Sequence, residues 1–527
     1  MSGSLSIKSA MLRGIEAIPV YVELSSSVGI PGMDVIGNPD TSVAESRSRV
    51  RCALKSSGFS VPREHITINL APGELKKTGT GFDLALAIAL LCYTKQMPAQ
   101  DVSNCLFVGE LGLSGEISPV RGLIAYQKLA HDMGLKLVCA KASLASACWF
   151  EDTLFVSSLT ELTKGIPWIE KLNQDRPSYV GNDLFGDASH YKDFSDVIDQ
   201  EEAKRACVIS AAGSHGMLMV GPPGAGKTML AKRMPGILPP LSQADLHEAR
   251  LIRSVVGEDM AGLDQGRRPF RAPHHSISTA GLIGGGRPVI PGEVSLAHKG
   301  VLFLDELPEF AANVLQSLRQ PLEDKLVRLI RAEGAYVFPC DFMFLAAANP
   351  CPCGHLGDKG HSCICAEARI ARYQAKLAGP LIDRIDICIS VERPDPTKIL
   401  DGQCGLSTKD MQEQVAIAKN FQAWRYKQAH ADDYARAQAN AAASASAHAS
   451  AQPSFDTLRI EDIHALEMDQ KAKTCLESVA KHLALGGRAI AKIVRVARTI
   501  ADLAEHPVIQ KDDVLQASFL RNRKSNL

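Results

Sequence analysis

The phosphate-binding pattern G-x-x-x-x-G-K-[ST] is matched without a mismatch by Gly221-Pro222-Pro223-Gly224-Ala225-Gly226-Lys227-Thr228. Backbone N–H groups of such a loop surround phosphates, Lys227 reaches the outer phosphates, and the Thr228 hydroxyl can ligate magnesium. The apolar run 217–220 predicts a buried strand before the loop, and 229–233 predicts a helix after it, whose amino terminus favours phosphate charge. A glycine loop of another purpose is the alternative, but this context favours a nucleoside triphosphate site.

Two further apolar runs end in polar side chains that suit hydrolysis. Residues 300–304 run into Asp305 and Glu306. Asp305 can hold magnesium through water, and Glu306 is placed to orient or deprotonate the attacking water. Residues 342–348 deliver Asn349, whose amide could bond the γ-phosphate or the water, although Asn also suits a turn before Pro350. Together with the phosphate loop, these residues predict a site that hydrolyses ATP with Mg²⁺.

Two C-x-C pairs stand in a short polar loop. They are Cys351 with Cys353 and Cys363 with Cys365. Four thiolates at this density suit tetrahedral zinc, although C-x-C is tighter than the commoner C-x-x-C knuckle. A structural Zn²⁺ is therefore predicted, with His355 or His361 able to replace a thiolate; four reduced surface cysteines are the alternative.

The elements that position these residues read as strands alternating with helices, which predicts a parallel sheet with the ligand at its carboxyl edge. A chain of 527 residues should form two to four domains. The predicted divisions are an α/β domain at 1–170, a polar linker at 171–200, the ATPase core at 201–396 with a cysteine insertion at 351–365, a helical segment with an Ala/Ser-rich low-complexity insertion at 397–455, and a helical end at 456–527.

Composition excludes some classes of protein. Lys and Arg balance Asp and Glu, so a histone-like polyelectrolyte is excluded and a nucleic-acid surface must be a local patch. We expect no signal peptide, and the longest apolar run, 82–93, is too short to span a bilayer. Most cysteines stand singly on apolar segments, as reduced thiols do. A cytoplasmic protein with no membrane partner is expected.

Several motifs together resemble the magnesium-chelatase-like branch of the AAA+ ATPases, and within it the chain is similar to the ComM (YifB) family of bacteria. The motifs are residues 221–228, 304–310, 347–354 and 379–386. The similarity covers nearly the whole chain, including residues 39–47 and 69–72, and only the Ala/Ser tract departs clearly. The resemblance implies an α/β fold: an N-terminal Lon-protease/ribosomal-protein-like domain, an AAA+ parallel-sheet core with a helix-2 insert and the four-cysteine loop, and a C-terminal helical lid.

The resemblance also implies roles for single residues. Asn349 becomes the first sensor, and Arg384 becomes the finger that enters a neighbouring subunit's nucleotide site, so hydrolysis would require an oligomer, a homo-hexameric ring. From the residues alone, a local salt bridge of Arg384 with Asp383 or Asp386 is the favoured interpretation. Arg488 matches the second sensor in the lid, and two arginines of the same helix compete for that role, Arg495 and Arg498.

Two segments would face the central pore of such a ring. One looks like the helix-2 insertion and contains residues 268–275 and 284–287; the other is a hairpin of 325–331 and 335–338 about Glu333-Gly334. Basic side chains there could track DNA phosphates, and the candidates are Lys325, Arg328 and Arg331. A solvated basic face is the alternative, and His274 and His275 could be structural.

The function implied by the resemblance is a ring-shaped, ATP-driven DNA translocase and branch-migration helicase that promotes recombination of incoming DNA in natural transformation. Its partners would be single-stranded, duplex or branched DNA and recombination proteins. The alternative is a protein-remodelling ATPase of the chelatase-motor type that acts on a partner complex. A Lon-like protease is disfavoured, because Gly81 stands where such proteases carry the serine nucleophile.

Overall fold

The computed structural model describes residues 6–146, 152–173, 191–331, 334–358, 360–377, 381–401, 405–429 and 466–521. The Ala/Ser-rich tract, most of the predicted linker and Gly379-Pro380 of the last motif lie outside these ranges. Within them, none of the helices combines the length and the apolar composition that crossing a bilayer needs. The predicted mixed α/β class with a parallel sheet is confirmed.

The amino-terminal part is built on a seven-stranded mixed sheet. Its elements are β1 (Ser6–Arg13), β2 (Glu16–Ser27), β3 (Gly32–Ile36), α1 (Thr41–Ser56), β4 (His65–Ala71), α2 (Asp83–Tyr93), β5 (Cys105–Phe107), β6 (Glu110–Leu111), β7 (Ile117–Ser118), α3 (Leu123–Asp132), β8 (Lys136–Ala140), β9 (Thr153–Val156), α4 (Leu159–Leu162) and α5 (Ile166–Asn173). The strand order is β3-β4-β2-β1-β5-β8-β9. Alternate residues of β4 (Ile66, Ile68 and Leu70) point into a core that α2 fills, because α2 is apolar on nearly all sides.

The nucleotide-binding part follows. Its elements are α6 (Glu201–Gly213), β10 (Met217–Val220), α7 (Lys227–Arg233), α8 (Gln243–Val256), α9 (Ala261–Asp264), β11 (Phe270–Arg271), α10 (Thr279–Ile283), β12 (Gly284–Gly285), β13 (Ile290–Pro291), α11 (Glu293–Leu296), β14 (Val301–Leu304), α12 (Ala312–Ser317), α13 (Arg319–Asp324), β15 (Leu326–Arg331), β16 (Gly334–Pro339), β17 (Met343–Ala348), α14 (Glu367–Leu377), β18 (Ile387–Ser390), α15 (Pro396–Leu400) and α16 (Thr408–Ala429).

The central sheet of this part has five parallel strands in the order β11-β14-β17-β10-β18. The three inner strands are buried on both faces, which explains their continuous apolar sequences. Met217 pairs with Leu345 on one side and with Ile387 on the other, so the carboxyl ends of neighbouring strands are level. The loops after these strands therefore meet at one edge.

Three helices close the described chain: α17 (Gln470–His482), α18 (Gly487–Leu503) and α19 (Lys511–Phe519). They pack with α6 and α16 over one face of the five-stranded sheet. The described end of the predicted linker also packs there, since Phe194 is fully buried and its N–H donates to the Thr408 hydroxyl at 2.9 Å. Residues 191–200 are thus part of the packed unit and do not form a loose connector.

The amino-terminal part is joined to the opposite face of the ATPase sheet. Ile15 and Ile124 belong to the same apolar cluster as Leu218 and Phe338. The N–H of Gly122, just before α3, donates to the Ser254 carbonyl in α8 at 2.8 Å. The two parts therefore share a continuous packed interface.

Candidate active site and metal centre

The predicted nucleotide residues converge at the carboxyl edge of the central sheet. The phosphate loop leaves β10, while Asp305 and Asn349 follow the adjacent strands β14 and β17. The Thr228 hydroxyl donates to the Asp305 carboxylate at 2.8 Å, and the Lys227 ammonium lies 3.2 Å from the Asn349 side-chain oxygen. Residues that are far apart in sequence thus form one constellation.

This constellation fits a magnesium-bound triphosphate. Gly224 and Gly226 have positive φ angles of 80° and 92°, and a Cβ added to either would meet nothing within 4 Å, so the loop surrounds open space. Loss of water contact on burial lowers the pKa of Lys227, partly offset by the charges of Asp305 and Glu306. A poorly hydrated ammonium beside open loop N–H groups suits an anionic phosphate, and the Thr228 and Asp305 oxygens suit Mg²⁺.

Glu306 is held in an uncommon backbone conformation. Its φ is 52°, in the left-handed region, and its N–H donates to the Asp305 carboxylate at 3.0 Å. Non-glycine residues in this region cluster at functional sites. The turn directs the Glu306 side chain away from the strand, and the side chain remains 56% exposed, where it can contact a water molecule.

His275 approaches Glu306, a contact that the sequence interpretation missed, since it considered only a pore-facing or a structural role for this histidine. Its Nδ1 lies 3.7 Å from a Glu306 carboxylate oxygen, and its ring contacts that of His274 in a tilted arrangement with centroids 4.0 Å apart. The available signal was topological: the loop that carries His275 follows β11, the strand beside β14. His275 therefore belongs to the surroundings of the candidate hydrolytic carboxylate.

Arg384 and Arg488 lie at the other edge of the sheet. They line a cavity of about 310 Å³ together with Lys325, Glu323, Lys492 and Arg495. The Asp386 N–H donates to the Gly216 carbonyl, so the segment that carries Arg384 lies at the amino end of β10. The four residues of β10, at about 3.3 Å each, place this end about 13 Å from the phosphate loop. The structure does not bring these two arginines to the phosphate loop of their own chain.

Arg384 has an ion-pair partner far from it in sequence. Its guanidinium donates to the Glu323 carboxylate at 2.6 Å. Arg498, a predicted competitor of Arg488, instead bonds Asp502 and the Pro507 carbonyl and is buried. Arg495 lines the same cavity as Arg488 and so stays a competitor.

A buried polar network ties α18 to the segment that carries Arg384. The Asp386 carboxylate forms an ion pair with Lys492 at 2.8 Å and contacts His215 at 3.1 Å, and His215 bonds the Thr499 hydroxyl at 2.8 Å. Burial raises the pKa of the Asp386 carboxyl, but its hydrogen bond with His215 and the Lys492 charge outweigh that and hold it well below its usual range. The network fixes α18, whose cavity-lining side chains Arg488, Lys492 and Arg495 recur at helical spacing.

The four predicted cysteines converge. The Sγ atom of Cys351 lies 3.4 Å from that of Cys353 and 3.6 Å from that of Cys363, and Cys353 and Cys363 are 3.6 Å apart. Cys365 completes a group whose ligand atoms all lie within 4.8 Å of one another. Tetrahedral zinc with bonds of about 2.3 Å requires sulfur atoms about 3.8 Å apart, so the group fits the ion with small adjustments.

The protonation preferences of these thiols differ. Backbone N–H groups of His355 and Ile364 point at Cys353 and lower the pKa of its thiol to about 6. Cys363 also accepts an N–H, from Cys365, yet loss of water contact and the adjacent thiols raise its pKa to about 12. Four thiolates at these distances need a cation to offset their repulsion, which a divalent metal would supply.

The two histidines of this loop do not replace a cysteine. His355 Nδ1 lies 3.1 Å and His361 Nδ1 3.5 Å from one Asp358 carboxylate oxygen, and the Arg393 guanidinium lies 3.2 Å from the same oxygen. His355, Asp358 and His361 lie close enough to ligate a metal ion, but the Arg393 guanidinium already neutralises the Asp358 carboxylate. Asp358 thereby links the cysteine loop to the chain that follows β18.

The segments predicted to face DNA divide into buried and exposed parts. Arg268 donates to the Pro239 carbonyl at 2.7 Å, and burial lowers its pKa to about 10, while Arg271 is paired with Glu293. These arginines belong to β11 and its approach, whereas residues 284–291 form the β12–β13 hairpin between α10 and α11. Arg268 and Arg271 are therefore structural, which corrects the expectation that they contact phosphates.

The predicted hairpin is present as strands β15 and β16. Arg331 pairs with Gly334, so Gly334 belongs to β16 and not to the turn, and Glu333 of the expected turn lies outside the described residues. Lys325 does not lie on its exposed surface, because its ammonium pairs with Asp341 at the base. Arg328 and Arg331 are exposed along β15, beside Ile330, which is 84% exposed. Arg328, Ile330 and Arg331 therefore form the part of the hairpin surface that is accessible to a ligand.

The fold and this site define the class: an ATP-binding, AAA+-like protein. Family models described as magnesium chelatase subunit ChlI, subunit ChlI of Mg-chelatase, and magnesium chelatase subunit ChlI C-terminal match residues 193–399, 22–143 and 405–521. YifB of Escherichia coli is 36% identical, covering 96% of this chain and 95% of its own, and the competence protein ComM of Haemophilus influenzae is 36% identical, covering 93% and 92%. The chain belongs to the ComM/YifB family of magnesium-chelatase-like proteins.

A shorter similarity concerns the DNA repair protein RadA of Treponema pallidum. It is 28% identical over 139 residues, which cover 26% of this chain and 30% of RadA. The printed names of these relatives concern competence and DNA repair, and the match to the magnesium chelatase family indicates ATP hydrolysis by this chain. These coarse statements are the starting point for the specific function.

Proposed function

We propose that this protein is an ATP-driven, ring-shaped DNA translocase that migrates branched DNA during recombination of incoming DNA in natural transformation. The observation that carries the proposal is the exposed basic and apolar surface of the β15–β16 hairpin, which arises between the candidate hydrolytic strand β14 and the Asn349 strand β17. Movement at the nucleotide site would reach this hairpin through both strands. The name of the ComM relative, a competence protein, supports the biological context.

Hydrolysis proceeds by attack of a water molecule that Glu306 orients or deprotonates. Lys227 would hold the outer phosphates, Thr228 and Asp305 would hold Mg²⁺, and Asn349 would contact the γ-phosphate or the water. His275 lies close enough to Glu306 to set the orientation of its carboxylate before attack. Bound Mg²⁺ would neutralise charge on the transferred phosphoryl group.

A homo-hexameric ring supplies the remaining charge. Arg384 and Arg488 lie at the amino edge of the sheet, about 13 Å or more from the phosphate loop of their own chain. This position favours contact with the nucleotide bound by the neighbouring subunit. Asp386 and Lys492 would keep the two arginines in a fixed relation. In the ring, each subunit's cavity would face the next subunit's phosphate loop.

DNA contact would fall mainly on Arg328 and Arg331. Guanidinium groups on an exposed strand can bond backbone phosphates without reading sequence, and Ile330 beside them can pack on sugars or bases. The amino-terminal part would serve binding or ring stability rather than proteolysis. The reason is Gly81, which offers no nucleophile and lies against Val108 and Val120.

We further propose that the four cysteines hold a structural Zn²⁺. Their tetrahedral spacing is the supporting observation. All four coordination positions are taken by protein sulfur, so the metal would organise the loop and would not act on substrate. Metal analysis of the purified protein tests this, and a parent protein without zinc would contradict it.

A second candidate function is remodelling of a partner protein complex, favoured by the match to magnesium chelatase subunit models. Steady-state ATPase activity with single-stranded, duplex and four-way-junction DNA, over a series of salt concentrations, separates the two. The first function predicts stimulation that weakens as salt rises, because phosphate contacts release counterions. Unchanged ATPase and no binding to any of the three DNAs would favour the second.

A further inference from the structure

The four-cysteine loop, residues 351–365, packs against the phosphate loop. A Cβ built on Gly354, the residue after Cys353, would stand 2.7 Å from Pro223 Cδ and 3.9 Å from Asn349 Cγ. An approach under 3.0 Å forces atoms to shift, so residue 354 has no room for a side chain against Pro223. The position of this loop therefore limits where the phosphate loop can lie.

The four-cysteine loop begins directly after Asn349, and the helix that follows the loop packs back against the same part of the site. Asn349 is followed by Pro350 and Cys351, and the chain returns as α14. The Tyr373 hydroxyl is hydrogen-bonded to the backbone of Asn349, Gln374 donates to the Pro350 carbonyl at 3.4 Å, and Lys376 donates to the Pro308 carbonyl at 3.0 Å. The returning helix thus supports both Asn349 and the segment after Glu306.

The four cysteines lie where the two arms of this loop meet, the outgoing arm after Asn349 and the returning arm before α14. Cys351 and Cys353 lie on the outgoing arm, Cys363 and Cys365 on the returning arm, and the two arms approach to 3.6 Å between sulfur atoms. Joining the arms at this point removes most of the conformational freedom of the chain between Asn349 and α14. The contact between Asp358 and Arg393, at 3.2 Å, holds the far side of the loop.

We propose that a metal held by the four cysteines controls ATP binding and turnover, by fixing Asn349 and Pro223 in their positions around the triphosphate. The metal would be a positioning element, remote from the reacting atoms. This inference rests on the proposed zinc and ATP sites and adds that the first governs the second. It does not depend on what the motor moves.

Two glycines of the loop provide a matched test. Gly354 and Gly357 both have positive φ, 82° and 75°, so alanine suffers similar backbone strain at either position. Only Gly354→Ala would push a methyl group into Pro223, since an added Cβ at Gly357 meets nothing within 4 Å. Displacement of the phosphate loop by a fraction of an ångström should lower DNA-independent kcat/KM for ATP by about tenfold to a hundredfold.

The expected pattern is a loss in Gly354→Ala, measured by ATP turnover and by the Kd of a fluorescent methylanthraniloyl-ATP, with Gly357→Ala close to the parent. Zinc content and thermal midpoint of the two variants should agree, which excludes general unfolding as the cause. Equal turnover and equal nucleotide affinity in the two variants would overturn the proposed contact.

The metal arm of the test uses Cys363→Ser, with Cys52→Ser as control, because Cys52 is an exposed free cysteine of α1 outside the cluster. Cys363→Ser should lose zinc and lose nucleotide affinity together, whereas Cys52→Ser should keep both. Loss of zinc with parental affinity and turnover would overturn the inference, and so would a parent that holds no metal. A zinc-dependent ATPase that DNA does not stimulate would leave this inference standing and refute only the DNA function.

Discussion

Removing the carboxylate of Asp341 should weaken the base of the β15–β16 hairpin measurably. One Asp341 oxygen lies 3.0 Å from the Lys299 ammonium, the other pairs with Lys325, and the side chain is 21% exposed. Lys299 precedes β14 and Lys325 precedes β15. The Asp341→Asn variant therefore loosens the connection between the candidate hydrolytic strand and the hairpin that we assign to DNA.

The magnitude follows from the ionisation of Asp341. Burial raises its pKa, but the charges of Lys325 and Lys299 outweigh burial and lower it from the ordinary 3.8 to about 2. At 1.36 kcal/mol per pKa unit, the ionised carboxylate contributes about 2 to 3 kcal/mol to folding. Because the folded pKa is the lower one, this contribution is complete above the unfolded pKa and is lost as pH falls from about 4 towards 2.

Urea unfolding at pH 7 and pH 3 measures the effect, with urea chosen because it carries no charge. Asp341→Asn should lower the unfolding free energy by about 2 to 3 kcal/mol at pH 7 and by about half as much at pH 3. Asp324→Asn is the matched control, since that carboxylate is exposed at the same end of the hairpin and should change stability by less than about 0.5 kcal/mol. An Asp341→Asn deficit as small as the control's, or one that grows as pH falls, would refute the reasoning.

Three further predictions concern the motor. Glu306→Gln should bind ATP like the parent but hydrolyse it about 10² to 10⁴ times more slowly, while Lys227→Ala should lose nucleotide binding or turnover; parental hydrolysis by Glu306→Gln excludes its proposed role. Arg384→Ala should lower ATP turnover by about 10³-fold to 10⁵-fold. Mixing it with Lys227→Ala subunits should restore part of the activity, because one variant supplies an intact phosphate loop and the other an intact Arg384. No recovery in mixed rings argues against action of Arg384 in trans. Replacing Arg328 or Arg331 with alanine should each reduce the slope of log affinity for DNA against log salt by about one, measured by fluorescence anisotropy, and an unchanged slope removes that arginine from the DNA surface.

Local sequence patterns predicted the carboxyl edge of the sheet well. The phosphate loop and the acids after β14 are short motifs attached to buried strands, and parallel strands bring such motifs together without any long-range detail. The convergence of Thr228 with Asp305, at 2.8 Å, and of Lys227 with Asn349, at 3.2 Å, follows directly from that rule. The same holds for the four cysteines, whose spacing in sequence already required a compact loop.

The misplaced arginines show what local patterns lack. Arg268 and Arg271 looked like Arg328 and Arg331, short basic runs near turns, yet the first two are paired with carbonyls and carboxylates inside the fold. Burial of a guanidinium depends on acceptors supplied from distant segments, and a sequence window does not contain them. The ion-pair partner of Lys325, Asp341, also lies beyond the hairpin and so outside a local sequence window.

Relations across the sheet were also beyond sequence reasoning. Arg384 and Arg488 share a cavity because the amino end of β18 and the start of α18 pack together through Asp386 and Lys492. Likewise the contact of His275 with Glu306 arises from the adjacency of β11 and β14, which motif spacing does not encode. Tertiary packing, rather than composition, determined each of these placements.

The central claim is that ATP hydrolysis at the phosphate loop drives DNA through a ring, and branch migration of a synthetic four-way junction tests it most directly. Purified protein with ATP and Mg²⁺ should convert the labelled junction to duplex products. The Glu306→Gln variant should bind the same junction without converting it, and the double replacement of Arg328 and Arg331 by alanine should hydrolyse ATP without DNA stimulation or conversion. Junction conversion by Glu306→Gln at the parental rate, or no conversion by a parent protein that hydrolyses ATP and binds the junction, would contradict the account.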